Sequence, residues 1–270
     1  MIQLKFKQSE ATKKYINIPE PQRFNIITKS NSLIQKSRFS LTTQQQKIVL
    51  FIISQIEKND EEFKLYEFKI TEFCGICGIE PKGDIYTMLK AQIKAISDKS
   101  LWIENENGQE TLIRWIEKPY IDKRSGIIKI KLDEDMKPYL LQLKEKFTEY
   151  ELIYTLNFKS KYSIRLYEYL KSIHYKKLET YTKTISINEF QKLLDSNYDN
   201  FKDFHSRVIK TAQREINQNS DIIFDYEILK NGKKAEAIKI TIQTKEITDR
   251  METTSEIERK LNRGIKDNGR

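Results

Sequence analysis

Two cysteines, Cys74 and Cys77, have the CxxC spacing of zinc ligands or of a redox pair. A structural zinc ion takes about four protein ligands. The chain has no second CxxC, and its two histidines, His174 and His205, lie far from the cysteines in sequence. We therefore predict that both cysteines are small, partly buried residues of a short helix, and that the protein binds no metal or other cofactor.

Other signatures of catalysis are missing as well. No Gly-x-x-x-x-Gly-Lys-Ser/Thr loop occurs, which argues against ATP hydrolysis. Enzymes that nick DNA with a tyrosine hold their metal with a His-x-His pair, and this chain has tyrosines but no such pair. The acidic run Asp133–Asp135 has no partner cluster and is predicted to be a solvated turn. We predict that the protein is not an enzyme.

Charge indicates what the protein binds. The net charge of +9 favours a polyanionic partner, with nucleic acid ahead of a membrane surface, although a basic composition without such a partner would look similar. No run of about 18 apolar residues is present, so no membrane span is predicted. The opening residues lack the apolar segment of a signal peptide. A soluble, cytoplasmic protein is expected.

The most informative basic residues lie in a helix predicted over residues 200–217. Its apolar residues recur every four positions and should face the core; they are Phe204, Val208, Ala212 and Ile216. The candidate DNA-contacting residues on its other face are Lys202, Ser206, Arg207, Lys210 and Arg214. Arginine and lysine there could read guanine edges in the major groove or hold phosphates. An ordinary solvated helix face would show the same pattern.

A second basic cluster, formed by Lys230, Lys233 and Lys234, lies at the tip of a predicted hairpin, where it could reach phosphates or the minor groove. In the first half of the chain, a helix predicted over residues 83–98 adds three candidate contacts, Lys82, Lys90 and Lys94. Lysine lacks the planar fork of arginine, so these are predicted to contact the DNA backbone. The second half is therefore predicted to provide the main sequence recognition.

The elements that would position these residues follow one order. A helix is predicted over residues 31–37, and a capping box of Thr42 and Gln45 starts a second helix. An extended segment then enters a short helix, and the 83–98 helix follows. Next come three β-type runs, with a hairpin signal at Asn107-Gly108 between the first two. Helix, helix, helix and hairpin is the order of a winged helix.

The same order recurs in the second half, which suggests a duplicated module. Ile70-Thr71-Glu72-Phe73 is matched by Ile187-Asn188-Glu189-Phe190, each between an extended segment and a helix. Thr71 and Asn188 are the predicted capping residues. The predicted fold is α+β with two tandem winged-helix domains. The predicted boundaries are an N-terminal arm over 1–29, domain 1 over 30–136, a linker over 137–158, domain 2 over 159–244 and a polar tail over 245–270, expected to be a solvated helix or disordered.

Several segments resemble the iteron-binding initiators of theta-type plasmid replication. The sharpest is SKYSIRLYEYLK, from Ser160 to Lys171. The other similar segments are Asn31–Ile34, Leu41–Ile48, Lys137–Leu143, Phe147–Tyr150, Phe201–Phe204, Val208–Lys210 and Glu215–Asp221. Together they cover roughly residues 30–244 in the family's order. The arm and the tail lie outside the resemblance.

The resemblance implies a function that composition does not show. Such initiators bind direct repeats of double-stranded origin DNA as monomers, and often an inverted repeat near their own promoter as homodimers joined through the first domain. They help to open the origin and recruit the host replication initiator and the replicative helicase, without chemistry of their own. Arg207, Lys210 and Arg214 lie in the segment that corresponds to the main recognition helix. Two alternatives remain, a winged-helix transcriptional regulator and a DNA-nicking enzyme.

Overall fold

The computed structural model of the chain describes residues 20–79, 83–105, 107–174 and 180–266. After a 3-10 turn at Glu20–Phe24, its first half consists of β1 (Ile26–Ser30), α1 (Asn31–Lys36), β2 (Ser37–Arg38), α2 (Thr43–Ile53), β3 (Tyr66–Lys69), α3 (Ile70–Cys77), α4 (Ile85–Ser97), β4 (Ser100–Glu104), β5 (Glu110–Arg114), β6 (Tyr120–Asp122) and β7 (Ile127–Ile130). The middle consists of a 3-10 turn (Glu134–Met136), α5 (Lys137–Leu140), β8 (Phe147–Glu151), α6 (Ile153–Leu156) and α7 (Lys161–Ile173). The second half consists of β9 (Thr180–Ser186), α8 (Ile187–Leu193), α9 (Phe201–Phe204), a π-helical turn (His205–Ile209), α10 (Lys210–Asn219), β10 (Ile222–Asn231), β11 (Lys234–Thr244) and α11 (Ile247–Lys266).

Both halves contain one repeated unit. In the first, the unit consists of α3, α4 and a sheet of order β3-β7-β6; in the second, it consists of α8, the helix over residues 201–219 and a sheet of order β9-β11-β10. The helices α3 and α8 begin at Ile70 and Ile187, the two residues aligned by the sequence repeat. The predicted α+β fold of two tandem winged helices is confirmed.

The capping residues of these two helices differ from the prediction. The N-caps are Lys69 and Ser186 rather than Thr71 and Asn188, because both helices start two residues earlier. In each repeat a glutamate in the first turn reaches back to the backbone N–H of the cap residue. The Glu189 carboxylate accepts this bond from Ser186 at 3.1 Å. The acidic residue of the repeated motif therefore works as half of a capping box.

The wing of the first module is also not where the sequence placed it. The β4–β5 hairpin at Asn107-Gly108 forms, but β4 pairs with β2 in a separate sheet of order β2-β4-β5. The hairpin equivalent to β10–β11 is instead β6–β7, which turns at residues 123–126. β6 has only three residues, which is too few to show a clear alternation of apolar and polar residues, so this strand was not predicted.

The segments predicted as arm and linker hold regular structure in their described parts. β1 pairs antiparallel with β8 over its full length, from Ile26 opposite Glu151 to Ser30 opposite Phe147. Arg23 is fully buried and donates hydrogen bonds to the carbonyl oxygens of Gly75 and Ile76. Residues 20–29 and 137–158 therefore contain regular structure that packs with the first module, where the sequence predicted an arm and a linker.

The helix α7 lies between the two modules and is buried along most of its length. The buried Lys29 ammonium lies 2.6 Å from the Glu168 carboxylate, which also accepts a hydrogen bond from Tyr150. Towards the second module, Asp221 accepts from Tyr167 at 2.8 Å and from Lys171 at 2.6 Å. Buried charges of this kind are costly unless they are paired, so α7 is fixed in register against both modules.

The C-terminal segment is a packed helix rather than a solvated or disordered tail. On α11, Thr253, Ile257 and Leu261 are buried at four-residue spacing. The helix contacts α3 and α6 on one side and α10 on the other, so it touches both modules. The polar composition of the segment concealed this narrow apolar stripe.

Candidate nucleic-acid interface

The helix over residues 201–219, here called the recognition helix, is anchored by its apolar face. Phe204, Val208, Ala212 and Ile216 are all completely buried, as the sequence predicted. Glu215 is also buried, and its carboxylate accepts from the backbone N–H groups of Lys159 and Ser160, both at 3.1 Å. These two bonds tie the recognition helix to the start of α7.

The candidate contacts on the opposite face of this helix are solvent-exposed; they are Lys202, Ser206, Arg207, Lys210 and Arg214. The side chain of Arg207 is 71% exposed, and its Nε lies 3.9 Å from the Asp203 carboxylate. At that exposure the pair is weak and screened by salt, so the guanidinium can exchange this partner for a phosphate or a base. The helix thus presents a basic face on a rigid apolar base.

The β10–β11 hairpin follows the recognition helix in the sequence and carries three more cations. β10 and β11 pair up to Asn231 opposite Lys234, and Gly232 turns the chain with φ of +60°. Lys230, Lys233 and Lys234 are exposed around this turn. A wing of this shape suits contacts to phosphates or to the minor groove.

In the first module, the two candidate contacts on α4 that the structure describes are both exposed. Lys90 is exposed. Lys94 is exposed too, but its ammonium lies 2.6 Å from the carboxylate of Asp98 on the next turn. Lys82 lies outside the described residues. Whether Lys90 and Lys94 contact DNA stays a prediction.

Two cations of the first-module wing were missed by the sequence reasoning. Lys123 and Arg124 are exposed in the β6–β7 turn, the position equivalent to the lysine-rich turn of the second module. The Lys123 ammonium lies 5.8 Å from the ring centroid of Tyr86 on α4, which joins the wing to the first-module helix. The sequence feature that could have revealed them is Asp-Lys-Arg-Ser-Gly at residues 122–126, which has the composition of a turn and contains two adjacent cations.

The cysteines do not form a reactive pair. Both are buried on α3, as predicted, and burial raises the pKa of Cys74 to about 11 and that of Cys77 to about 12. The thiolate is the form that binds metals and attacks disulfides, and at neutral pH both thiols keep their protons. Within the described ranges, no group of three or more His, Cys, Asp or Glu residues is arranged to hold a metal ion.

His205 lies within the recognition helix and faces the sheet. Its Nε2 is 2.8 Å from the hydroxyl of Tyr226 on β10, and its ring stacks on Phe201 with centroids 5.7 Å apart. Burial, and then the charge of Lys210, lower its pKa. This contact was not predictable from the sequence, because only the tertiary fold brings the two residues together.

A basic helix and a basic hairpin in each of two linked winged helices define a tandem winged-helix DNA-binding protein. Residues 26–171 match the family model described as "Initiator Replication protein, WH1", and residues 186–242 match "Initiator Rep protein, WH2". The chain therefore belongs to the family of initiator replication (Rep) proteins. The first match includes β8 and α7 and so extends past residue 136, where the sequence placed the end of domain 1.

Individual proteins are similar to this chain over most of its length. A replication initiation protein of Escherichia coli is 27% identical over 255 residues, which cover 90% of this chain and 76% of the relative. A crystal structure of the Pi initiator protein in complex with iteron DNA has a TM-score of 0.68 at 19% identity, covering 83% of this chain and 99% of that chain. This likeness shows a shared fold. Domains 2 and 3 of RctB are more remote, with a TM-score of 0.45 at 14% identity and coverage of 84% and 93%.

No helix in the described part of the chain combines the length and the apolar character needed to cross a bilayer.

Proposed function

We propose that this protein initiates plasmid replication by binding directly repeated sequences of double-stranded DNA at the origin. The observation that carries the proposal is the recognition helix, whose fully buried apolar stripe supports an exposed face with Arg207, Lys210 and Arg214. Membership of the initiator family and the fold shared with an initiator that binds iteron DNA support the same reading.

The two modules divide the work in this proposal. Arg207 and Arg214 can each present a planar pair of donors to guanine, whereas a lysine is better suited to a phosphate. The second module accordingly reads the repeat sequence, and its wing lysines hold the backbone. The first module adds phosphate contacts through Lys90 and, in an extension of the predicted set, through Lys123 and Arg124.

A footprint of the purified protein on the DNA flanking its own gene, at near-physiological salt, tests this proposal. Protection of several evenly spaced direct repeats is the expected result. Protection of a single inverted repeat over the promoter would instead establish a transcriptional regulator. Metal-dependent strand cleavage during the assay would instead show that the protein is a DNA-nicking enzyme.

We further infer a homodimer joined through the first module. Trp102 and Leu112 are direct cross-strand partners on β4 and β5, and they are 45% and 53% exposed. β5 is also the edge of its sheet, so its free backbone groups can pair with another strand. Replacing Leu112 by glutamate should shift sedimentation towards monomer while leaving the unfolding temperature nearly unchanged. An unaltered dimer fraction would place the interface elsewhere.

After binding, the initiator would open the origin in the cytoplasm and recruit the host replication initiator and the replicative helicase. This step rests on family membership alone. Strand opening by this route requires no catalytic residue of the chain, because the free energy of protein–DNA contacts can offset the cost of deforming the DNA. Pull-down of the two host proteins by the DNA-bound initiator, compared with DNA alone, tests it.

A further inference from the structure

The exposed side chains of the recognition helix have a spacing that a regular α-helix does not support. Lys202, Ser206, Lys210 and Arg214 recur every four residues. At 3.6 residues per turn, each step of four rotates the side chain by about 40°, so three steps spread the set over roughly 120°. The buried set from Phe204 to Ile216 has the same spacing and should drift equally. All members of that set are nevertheless completely buried.

The π-helical turn at His205–Ile209 removes this drift. Within it, the backbone N–H of Lys210 donates to the carbonyl oxygen of His205, five residues earlier. A π turn takes up one more residue than an α turn, so a four-residue step across it rotates backwards rather than forwards. Both four-residue stripes cross this turn. The basic side chains therefore stay on one side of the helix, and the apolar ones stay on the core.

A π turn is rarely stable by itself, and this one is held by a contact outside the helix. The residue that opens it, His205, forms the 2.8 Å hydrogen bond with the hydroxyl of Tyr226. Tyr226 is in turn stacked on Phe224, which is completely buried in the sheet. On the helix itself, the ring of Phe201 stacks on the imidazole of His205, with an interplanar angle of 13°.

We infer that Tyr226 is a positioning residue for DNA recognition: through His205 it holds the π turn that aligns Lys202, Ser206, Lys210 and Arg214 on one face. The inference rests on the proposed function, because alignment matters only if this face reads DNA. Tyr226 itself does not need to contact a base for this role. It fixes the direction in which four other side chains point, and its loss should affect discrimination between sequences more than overall affinity.

The variant Tyr226→Phe removes only the hydroxyl. We expect its affinity for a duplex carrying the footprinted repeat to fall by about 3- to 10-fold, the range of one net hydrogen bond. Affinity for a scrambled duplex of equal length should stay unchanged, and the unfolding temperature should fall by no more than a few degrees, as for the loss of one hydrogen bond. Fluorescence anisotropy at fixed salt measures both affinities. Tyr139→Phe, which removes a hydroxyl from α5 in the first module, is the matched control and should behave as wild type.

Two outcomes would overturn the inference. Equal losses on both duplexes together with a lower unfolding temperature would reduce Tyr226 to a stabilising residue. The second outcome is that His205→Ala loses discrimination between the repeat and the scrambled duplex while Tyr226→Phe keeps it. That result would mean that His205 contacts DNA directly.

A measurement without DNA separates this inference from the proposed function. The amide of Lys210, bonded to the His205 carbonyl, should exchange its hydrogen faster in Tyr226→Phe than in wild type or Tyr139→Phe. Unchanged exchange would reject the positioning role even if the protein binds repeats as proposed. Faster exchange in a protein that ignores the repeats would support the role of Tyr226 in the helix and reject the origin-binding function.

Discussion

At the scale of single residues, the basic side chains of the recognition helix differ in what they can read. The Arg207 side chain is exposed and only loosely paired with Asp203, so little energy is lost when it turns to DNA. Its guanidinium can form two parallel hydrogen bonds to guanine, which the point charge of a lysine cannot copy. Charge and hydrogen-bond geometry can therefore be separated by substitution.

Replacing Arg207 and Lys210 by alanine should weaken binding to the repeat by about 1–3 kcal/mol for each contact that reads a base. Arg207→Lys keeps the charge and should recover little of the loss if the contact is bidentate. Titration of labelled repeat DNA gives the affinities. Lys58→Ala, an exposed lysine of the first module, serves as the control. Wild-type affinity in the double alanine variant would show that this helix does not read the DNA.

Lys47 makes stability depend on pH in an unusual direction. Burial lowers the pKa of its ammonium to about 8, from an ordinary value of 10.5. Between these two pH values the unfolded chain retains a proton that the folded chain has lost, so the free energy of unfolding contributed by this group rises with pH. Below pH 8 both states are charged, and the cost of burying the charge is fully present.

Urea unfolding at pH 7.5 and pH 10 should reveal this effect. Relative to Lys47→Met, the wild-type free energy of unfolding should gain on the order of 1–3 kcal/mol between the two pH values. Lys90→Met, at an exposed position of α4, controls for removing a lysine. Parallel pH profiles for wild type and Lys47→Met would show that the Lys47 ammonium is not destabilised by burial.

At the scale of elements, the sequence predicted those whose signals are local. The capping box at Thr42 and Gln45 and the four-residue stripe from Phe204 to Ile216 were correct because each depends on neighbours along one helix. The π turn was not predictable, since Tyr226 holds it across the fold. The first-module wing was missed because three residues of β6 carry too little pattern to outweigh the Asn107-Gly108 signal.

The end of α3 shows how one element depends on another. Gly78 caps this helix with φ of +63°, and a Cβ atom there would lie 2.7 Å from Leu261 Cδ2 and 3.0 Å from Leu261 Cα on α11. Gly78→Ala should therefore lower the free energy of unfolding by about 1–3 kcal/mol, from backbone strain and from this clash.

A double-mutant cycle separates the two causes. Adding Leu261→Ala to Gly78→Ala should relieve the clash with Cδ2 but leave the close contact with the Cα atom of residue 261 and the strain of the left-handed backbone. The double variant should then be less destabilised than the sum of the single ones. Gly83→Ala, with a similar φ of +60° and nothing within 4 Å of the added Cβ, measures the backbone strain alone. Strict additivity of the two changes would show that α11 does not press on α3.

At the scale of the whole molecule, α11 and α7 hold the two winged helices together. α7 is fixed by a buried ion pair on one side and a part-buried one on the other, while α11 contacts α3, α6 and α10. Residues 247–266 lie outside both family matches, which end at residue 242. The family matches cover the two winged-helix modules, and α11, which lies beyond them, contacts elements of both modules.

The buried residue Ile257 lets this restraint be weakened without touching a DNA contact. Ile257→Ala removes a completely buried side chain and should lower the free energy of unfolding by about 2–5 kcal/mol. If α11 fixes the spacing of the modules, the variant should also protect the two halves of each repeat unequally at a temperature where it remains folded. Met251→Ala, on the exposed face of the same helix, should change neither property. A destabilised Ile257→Ala protein with a wild-type footprint would show that α11 stabilises the modules without setting their arrangement on DNA.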